Sequence, residues 1–326
     1  NNPYEQVLVN HMNTVLGAYG HTITTADASM QRQGNEKDLE ALINEMNGGR
    51  VDMLILMDVN PAYDSPKAAA FSEALAKVKT KVALHYQPNE TAVLCDYVAP
   101  THHYLESWGD VEAKRGHYSL IQPTISPLFN TRQTEESILT WAESPALDKD
   151  SDQAYFDYLK ANWEANMFPQ QSEYLMFQSF WDNSLQDGLV VREHEGDTPS
   201  FKGDVRLALS KISKASNSEL EIVFFESVNM GNGQFSTNPW LMEMPDPVAR
   251  TTWGNYLAVP VNFDGNKRFV GLNDLDDGDI VELTIGDKNY RLPVIKQFGM
   301  APGTVALALG YGRREAGTCG TDVGVD

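Results

Sequence analysis

The sequence predicts an α/β domain with a Rossmann-like parallel sheet, followed by a domain built mainly of β-strands. In the first part, amphipathic helical stretches alternate with short apolar runs, which is the pattern of βαβ units. After residue 200 the apolar period changes to two, which is typical of half-buried strands. At 326 residues the chain is longer than one core usually organises. We therefore predict an α/β domain at residues 1–145, a helical connection at 146–200 and a β-barrel or sandwich at 201–326.

The α/β domain begins with two predicted helices and a strand. An apolar stripe over residues 3–16 predicts the first helix, which Gly17 ends. A second stripe over residues 36–46 leads into the apolar run at 51–57. Because that run is nearly continuous, we predict a buried parallel strand there.

The next stretch repeats this order of elements. Ser65 as an N-cap and Pro66 in the first turn predict a helix that leads to a strand at residues 81–85. A further strand is predicted at residues 93–98. Helix and strand alternating at this spacing indicate right-handed crossovers in an open sheet.

The rest of the chain is predicted to change from helices to strands. Thr134 is the predicted cap of a helical region that extends to about residue 186, and residues 143–152 are the predicted linker. Apolar alternation bounded by turn residues then predicts six strands. These cover residues 205–209, 220–224, 256–261, 280–285, 290–295 and 304–309.

Charge and cysteine content exclude several classes of function. The formal net charge of −20 repels phosphate backbones and anionic lipid, so we expect neither nucleic-acid binding nor peripheral membrane binding. No stretch approaches the roughly 20 apolar residues that span a bilayer, so we expect no direct membrane insertion. Cys95 and Cys319 are the only cysteines, and we expect both to be free thiols. Two cysteines cannot supply the four thiolates of an iron–sulfur cluster or a structural zinc site. Both ends of the sequence look cut, which suggests a piece of a longer subunit.

Common catalytic and metal-binding motifs are absent from the sequence. It contains no P-loop, no His-Glu-x-x-His and no Gly-x-Ser-x-Gly. Residues 274–278 resemble a calcium loop, but Gly278 comes at the fifth position where an EF-hand needs the sixth. We therefore predict a turn there and no metal ion.

The densest group of polar candidate side chains comprises His102, His103, Glu106 and Asp110, with His85 and His117 nearby in sequence. Helical spacing would put His102 and Glu106 on one face, as in a metal or acid/base site. No third ligand is specified, so ordinary structural side chains remain the alternative. A hydrolase or metal enzyme built around His102, His103 and Glu106 is one function hypothesis.

Several longer strings resemble one protein family. They are LILMDVNP at residues 54–61, ETA at 90–92, HYLESWGD at 103–110, QPTISPLF at 122–129, NPWLMEMPDP at 238–247, TWGN at 252–255, GDIVEL at 278–283 and PGTV at 302–305. Together they resemble the molybdopterin oxidoreductase superfamily. Within it, the longest strings resemble the large iron–sulfur subunit of alternative complex III, the bacterial quinol-oxidising complex. The last strings resemble the double-psi β-barrel that closes these proteins.

The resemblance implies residues for a cofactor pocket. In the molybdenum enzymes the loops after these strands cradle a pterin guanine dinucleotide, and the matching residues here are Asn60, Pro61, Glu90 and Thr91. This sequence departs from that pattern, because the second strand runs into residues 85–88 (HYQP) without the usual acidic residue. The alternative complex III subunit is understood to carry no molybdopterin.

The resemblance also implies a function for the chain. It would be the C-terminal structural portion of an electron-transfer subunit in a quinol-oxidising respiratory complex, with no redox centre of its own. Iron–sulfur clusters would lie elsewhere in the full-length subunit, and the other subunits would be its partners on the periplasmic side of a bacterial membrane. The alternative is part of an active molybdopterin-dependent oxidoreductase that helps to bind the pterin dinucleotide.

Overall fold

The computed structural model of the protein describes residues 2–197, 199–212, 220–261 and 270–326. The chain divides into two units, and each unit is drawn from two stretches of sequence. Unit 1 comprises Asn1–Leu39 and Ala99–Ala215, and unit 2 comprises Glu40–Val98 and Ser216–Asp326. The sequence predicted three consecutive segments with boundaries at 145 and 200, and those boundaries stay a prediction. Periodicity identifies elements but does not reveal which distant elements pack together.

Helices and strands follow one another along the chain in mixed order. The helices are α1 (Pro3–Val15), α2 (Glu36–Asn47), α3 (Pro61–Asp64), α4 (Ala68–Leu75), α5 (Thr134–Trp141), α6 (Ala154–Asn162), α7 (Phe177–Asp187), α8 (Val205–Lys211), α9 (Pro239–Glu243), α10 (Val270–Asn273) and α11 (Gly317–Gly320). The strands are β1 (Met53–Met57), β2 (Thr80–His85), β3 (Tyr97–Pro100), β4 (Gly109–Lys114), β5 (His117–Ile121), β6 (Val190–Val191), β7 (Glu221–Glu226), β8 (Leu257–Pro260), β9 (Ile280–Ile285), β10 (Lys288–Gln297) and β11 (Thr304–Leu309). In the described part of the chain, no helix is long and apolar enough to cross a membrane.

The first sheet of unit 2 is the predicted parallel one. Strands β1 and β2 pair in parallel, with Leu54 opposite Lys81, and the strand order is β1-β2-β3. The connection between β1 and β2 carries α4, whose Phe71 is fully buried. The prediction of a buried strand at 51–57 is wrong in detail, because Met53, Ile55 and Met57 are exposed on one face. An apolar run predicts a strand but does not reveal which face is covered.

The second sheet of unit 2 contains five strands in the order β7-β11-β8-β10-β9. Strand β11 runs parallel to β7 and antiparallel to β8, while β10 runs parallel to β8 and antiparallel to β9. The core against it is apolar and contains Val259 and Val294, both fully buried. The five predicted strands from residue 220 onward and the mixed α/β class are thus confirmed. Closure into a double-psi barrel stays a prediction.

Unit 1 packs helices against a small antiparallel sheet. The strand order is β4-β5-β6, and Asp110 of β4 lies opposite Leu120 of β5. An aromatic cluster fills the core, where Trp163 and Trp181 meet edge to face with ring centroids 5.8 Å apart. Such aromatic pairs contribute beyond the apolar area that they bury. The Trp163 indole also donates a hydrogen bond of 2.8 Å to Asp110.

Four local predictions were wrong. Residues 205–209 form helix α8 rather than a strand, because Asp204 caps the Leu207 N–H and the short apolar run fits either period. The predicted strand at 93–98 is a 3₁₀ turn, Ala92–Leu94, followed by β3. The predicted caps Ser65 and Thr134 do not cap their helices, since the N-cap positions of α4 and α5 fall on Lys67 and Gln133.

Candidate functional site

The loops that follow β1 and β2 meet through the side chain of Asn60. Its amide nitrogen donates a hydrogen bond of 2.7 Å to Glu90 Oε2. Its carbonyl oxygen accepts two hydrogen bonds from Thr91, one from the backbone N–H at 3.0 Å and one from the hydroxyl at 2.9 Å. Because β1 and β2 are parallel, their carboxyl ends lie at the same edge of the sheet, which places these loops side by side.

Pro61 and Thr91 complete this loop contact. Pro61 occupies the first turn of α3, a position that needs no N–H donor, and it is buried. The Thr91 hydroxyl accepts a hydrogen bond of 3.0 Å from Ala62 N–H, so it holds the start of α3 as well as Asn60. Thr91 is itself buried. The structure therefore brings together all four residues that the resemblance implied.

Glu90 receives most of its contacts from the segment after β11. Arg313 Nε lies 2.8 Å from both carboxylate oxygens, and Arg313 Nη2 lies 2.7 Å from Oε2. The backbone N–H groups of Arg314 and Glu315 donate to Oε1 at 2.8 and 3.0 Å. With Asn60, this gives each oxygen three donor contacts. A carboxylate offers about four acceptor positions, so Glu90 has none left for another ligand.

The Arg313 guanidinium is equally well satisfied. Its Nη1 donates to the Gly233 carbonyl at 2.6 Å, and Nη2 also donates to the Glu315 carbonyl at 3.0 Å. Its carbon lies 4.9 Å from the centroid of the Tyr63 ring, which is cation–π distance. Tyr63 in turn donates its hydroxyl hydrogen to the Tyr311 carbonyl at 2.7 Å. We call Asn60, Tyr63, Glu90, Thr91 and Arg313 the Glu90 network.

Backbone conformation lets the network close. Gly233 has φ +98°, and a Cβ added there would lie 2.5 Å from a Tyr63 ring carbon. A residue with a side chain would therefore displace the ring that covers Arg313. Glycine is the residue that satisfies both the positive φ and the close approach.

The pKa shifts in the network indicate that the Glu90 carboxyl stays ionised. Burial alone raises the pKa of the Glu90 carboxyl, but hydrogen bonds from Arg313, Asn60 and backbone N–H groups outweigh it and lower the pKa to about 2. Burial raises the pKa of the Tyr63 hydroxyl, so this group keeps its proton at neutral pH. Burial lowers the pKa of His85, which ends β2.

Sequence reasoning missed Tyr63, Gly233 and Arg313. A usable signal existed for Arg313, because Arg313 and Arg314 form a basic pair after a glycine-flanked tyrosine in a chain with 45 acidic and 25 basic residues. No comparable signal marks Tyr63. Its role depends on a contact between positions 250 residues apart in sequence, which periodicity does not predict.

The side-chain acceptors that Asn60 and Glu90 would offer to a pterin dinucleotide are already taken within the network. Each Glu90 oxygen is filled by donors from the chain itself, and both lone pairs of the Asn60 carbonyl are taken by Thr91. A ligand that used these groups would first have to break the Glu90–Arg313 pair. The network holds the loops that follow β1, β2 and β11 together.

The side chains of the second predicted group, in unit 1, make local hydrogen bonds instead of converging on one site. His103 caps the 3₁₀ turn Tyr104–Glu106, and Glu106 accepts the His103 N–H in return at 2.9 Å. His102 Nδ1 is 2.5 Å from the Thr131 hydroxyl, and Asp110 accepts from the Trp163 indole. The predicted helical face shared by His102 and Glu106 is wrong, because the segment is a single 3₁₀ turn. Within the described ranges, no three His, Cys, Asp or Glu side chains form a group able to hold a metal ion.

Comparison with known proteins adds one informative match. The chain is 30% identical over 268 residues to the menaquinone reductase, molybdopterin-binding-like subunit, of Nitratidesulfovibrio vulgaris strain Hildenborough. That match covers 79% of this chain and 36% of the relative, so the chain spans about a third of that protein's length. It supports the resemblance to the molybdopterin oxidoreductase superfamily.

Two further comparisons add less. Acetylene hydratase from Pelobacter acetylenicus superposes with a TM-score of 0.47 and 13% identity, over 86% of this chain and 41% of that chain. A likeness at that TM-score carries no argument about function. No protein-family model matches the chain.

Proposed function

We propose that the chain is a structural portion of a quinone-linked electron-transfer subunit of the molybdopterin oxidoreductase type. The 30% identity to a menaquinone reductase subunit supports the quinone-linked assignment. In the proposal, the loops that would cradle a pterin dinucleotide in an enzyme are closed on each other by Glu90 and Arg313. The chain then contributes a scaffold and performs no chemistry by itself.

The observation that carries this proposal is the complete coordination of Glu90. A residue retained to bind a ligand keeps acceptor or donor positions free toward a cavity. Glu90 instead has three donor contacts on each oxygen, and its Arg313 partner has only 5% of its side chain exposed. A buried ion pair is costly to separate once its hydrogen bonds are complete. The network is therefore better suited to locking loops than to exchanging a cofactor.

The proposal extends to the place of the chain in an assembly. We infer that it is the C-terminal portion of a longer subunit that resembles that of alternative complex III, and that the five-stranded sheet is part of a double-psi barrel. Iron–sulfur clusters would be held elsewhere in that subunit. Its partners would be the other subunits of a membrane-bound respiratory complex on the periplasmic side. These statements rest on the strings that resemble the family and on the 30% identity to the menaquinone reductase subunit.

Metal and pterin analysis of the full-length protein tests the proposal. The protein would be purified from its native membranes, and iron, molybdenum and pterin fluorescence would be measured beside a known molybdenum enzyme from the same cells. We expect iron without stoichiometric molybdenum or pterin, while the parallel enzyme carries both. Molybdenum and pterin near one per chain would instead favour the alternative, an active oxidoreductase whose dinucleotide opens the Glu90 network.

A further inference from the structure

Two of the strings that carry the family resemblance meet on one surface of unit 1. Residues 122–129 form a loop that is held against the 3₁₀ turn Tyr104–Glu106 by hydrogen bonds. The backbone N–H groups of Thr124 and Ile125 donate to the Leu105 carbonyl at 2.8 and 3.2 Å. The Leu128 N–H donates to Glu106 Oε1 at 3.0 Å. The proposed function assigns no role to this surface.

The loop is apolar although it is exposed. Leu128 and Phe129 are 70% and 78% exposed, and Ile125 is 43% exposed. On the adjoining turn, Tyr104 is 67% exposed. Scattered apolar side chains are normal on a surface, but several large ones exposed on one short loop and its adjoining turn are typical of an interaction site. Because hydrogen bonds already fix the loop, binding there would require little additional ordering.

An open cavity of about 510 Å³ lies beside this loop, within unit 1. Its apolar wall includes Trp108 and Phe156, whose ring centroids are 4.6 Å apart. The acidic residues that line it are Glu106, Glu136 and Asp152. Aromatic faces combined with carboxylates suit a guanidinium group, which stacks on rings and donates several hydrogen bonds in one plane.

With His102, which also lines the cavity, counted as neutral, the charge at the cavity favours a cation. The N-terminal residues of helices α5 and α6 also line the cavity, and each helix N-terminus contributes about half a positive charge. Arg132 Nε lies 3.8 Å from Glu136 Oε1, so its positive charge offsets one of the three carboxylates. Three carboxylates against about two positive charges leave the cavity negative by about one charge. The formal charge of −20 on the whole chain acts in the same direction.

Glu106 keeps capacity for a ligand. The contacts that hold it are one backbone N–H on each oxygen, from His103 and from Leu128. A carboxylate offers about four acceptor positions, so about two remain for a ligand. The same side chain thus orders the apolar loop and offers acceptors to a bound cation.

We propose that this surface docks a segment of a partner polypeptide that carries an arginine flanked by apolar residues. The arginine would enter the cavity between the aromatic rings and the carboxylates, and the apolar flanks would cover Ile125, Leu128 and Phe129. The inference rests on the proposed function only in that the chain works inside an assembly. It does not depend on whether the full-length protein binds molybdenum or a pterin.

Site-specific photocrosslinking in native membranes tests the proposal. Benzoylphenylalanine would replace Phe129 in the full-length protein, and the matched control would replace Leu175, which is 96% exposed in the same unit and does not line the cavity. We expect at least about five times more crosslinked product from position 129 than from position 175. Mass spectrometry should identify a different polypeptide, with an arginine within a few residues of the crosslink.

Charge variants then test the cavity itself. Combined Glu136→Gln and Asp152→Asn substitutions should lower the yield at position 129 several-fold, whereas Glu164→Gln, an exposed acid outside the cavity, should leave it unchanged. Three results would overturn the proposal. The first is a yield no higher than at Leu175, and the second is a yield that the charge variants do not change. The third is a crosslink to another part of the same polypeptide, to a second copy of this chain, or to a segment without a basic residue. Metal and pterin analysis of the same samples reports on the proposed function separately.

Discussion

Glu90 in unit 2 and Glu106 in unit 1 both accept backbone N–H groups from a neighbouring loop, but they differ in what else contacts them. Glu90 has 11% of its side chain exposed and also binds Arg313 and Asn60. Glu106 is held by two backbone N–H groups and lines an open cavity. The pKa of both carboxyls is lowered, for Glu90 against the opposing effect of burial and for Glu106 chiefly by the His103 N–H.

The difference separates a structural carboxylate from one that is available to a ligand. Removing a partner from a buried, fully bonded charge leaves it without compensation, because water cannot replace the partner. A carboxylate at an open cavity loses little when one contact is removed, since water takes the vacant position. The comparison therefore predicts that changes around Glu90 affect folding, whereas changes around Glu106 affect binding.

Replacing Arg313 should produce the largest effect. Arg313→Ala leaves the Glu90 carboxylate buried without its cation, which should cost about 3–5 kcal/mol in the free energy of unfolding. Urea unfolding of the purified variants measures it. Arg314→Ala is the matched control, because this exposed neighbour contacts Glu90 through its backbone, and it should change stability by less than about 0.5 kcal/mol. Equal losses in the two variants would mean that the ion pair is not what holds the loops.

The pH dependence of stability should reflect Glu90. Its pKa is about 2 in the folded protein and about 4.3 in an unfolded chain. Because the folded value is the lower one, the folded state binds fewer protons, and the contribution is fully present above about pH 4.5. It should be lost as pH falls toward 2, by about 3 kcal/mol in total.

Carboxyl-carbon NMR provides the direct check of this pH prediction. In the folded protein the Glu90 carboxyl should stay ionised until the pH approaches 2. The free energy of unfolding should fall between about pH 4.5 and about pH 2. A Glu90 resonance that titrates near pH 4 would contradict the network, whatever the behaviour of the other acidic residues.

Close packing at Gly233 predicts a smaller but well-controlled effect. Gly233→Ala places a methyl group 2.5 Å from a Tyr63 ring carbon at φ +98°. Gly278→Ala introduces the same methyl at φ +90° with nothing within 4 Å, so it carries the backbone strain alone. We expect Gly233→Ala to cost about 2 kcal/mol more than Gly278→Ala in urea unfolding. If the two variants lose the same stability, Tyr63 is free to move and does not cover Arg313.

The regions around Glu90 and Glu106 show how much of the structure could be predicted from the sequence. The parallel strands β1 and β2 and the later strands followed from apolar runs, because a strand's pattern is local. Asn60 and Glu90 were named from a resemblance, yet their partner Arg313 was missed because it lies more than 220 residues further along the chain. His102 and Glu106 were predicted on one helical face, but the capping by His103 formed a 3₁₀ turn instead. Local capping and long-range pairing both override periodicity.

Glu106 should give the smallest change in stability. Glu106→Ala removes the acceptor of the Leu128 and His103 N–H groups, but both lie where water can replace it, so we expect a loss of about 1 kcal/mol or less. Hydrogen exchange should be faster at those two amides, while the Arg314 and Glu315 amides bound to Glu90 keep their rates. A loss as large as that of Arg313→Ala would mean that the loop at 122–129 belongs to the core of unit 1. The carboxylate would then be structural, as Glu90 is, and unsuited to holding a partner's cation.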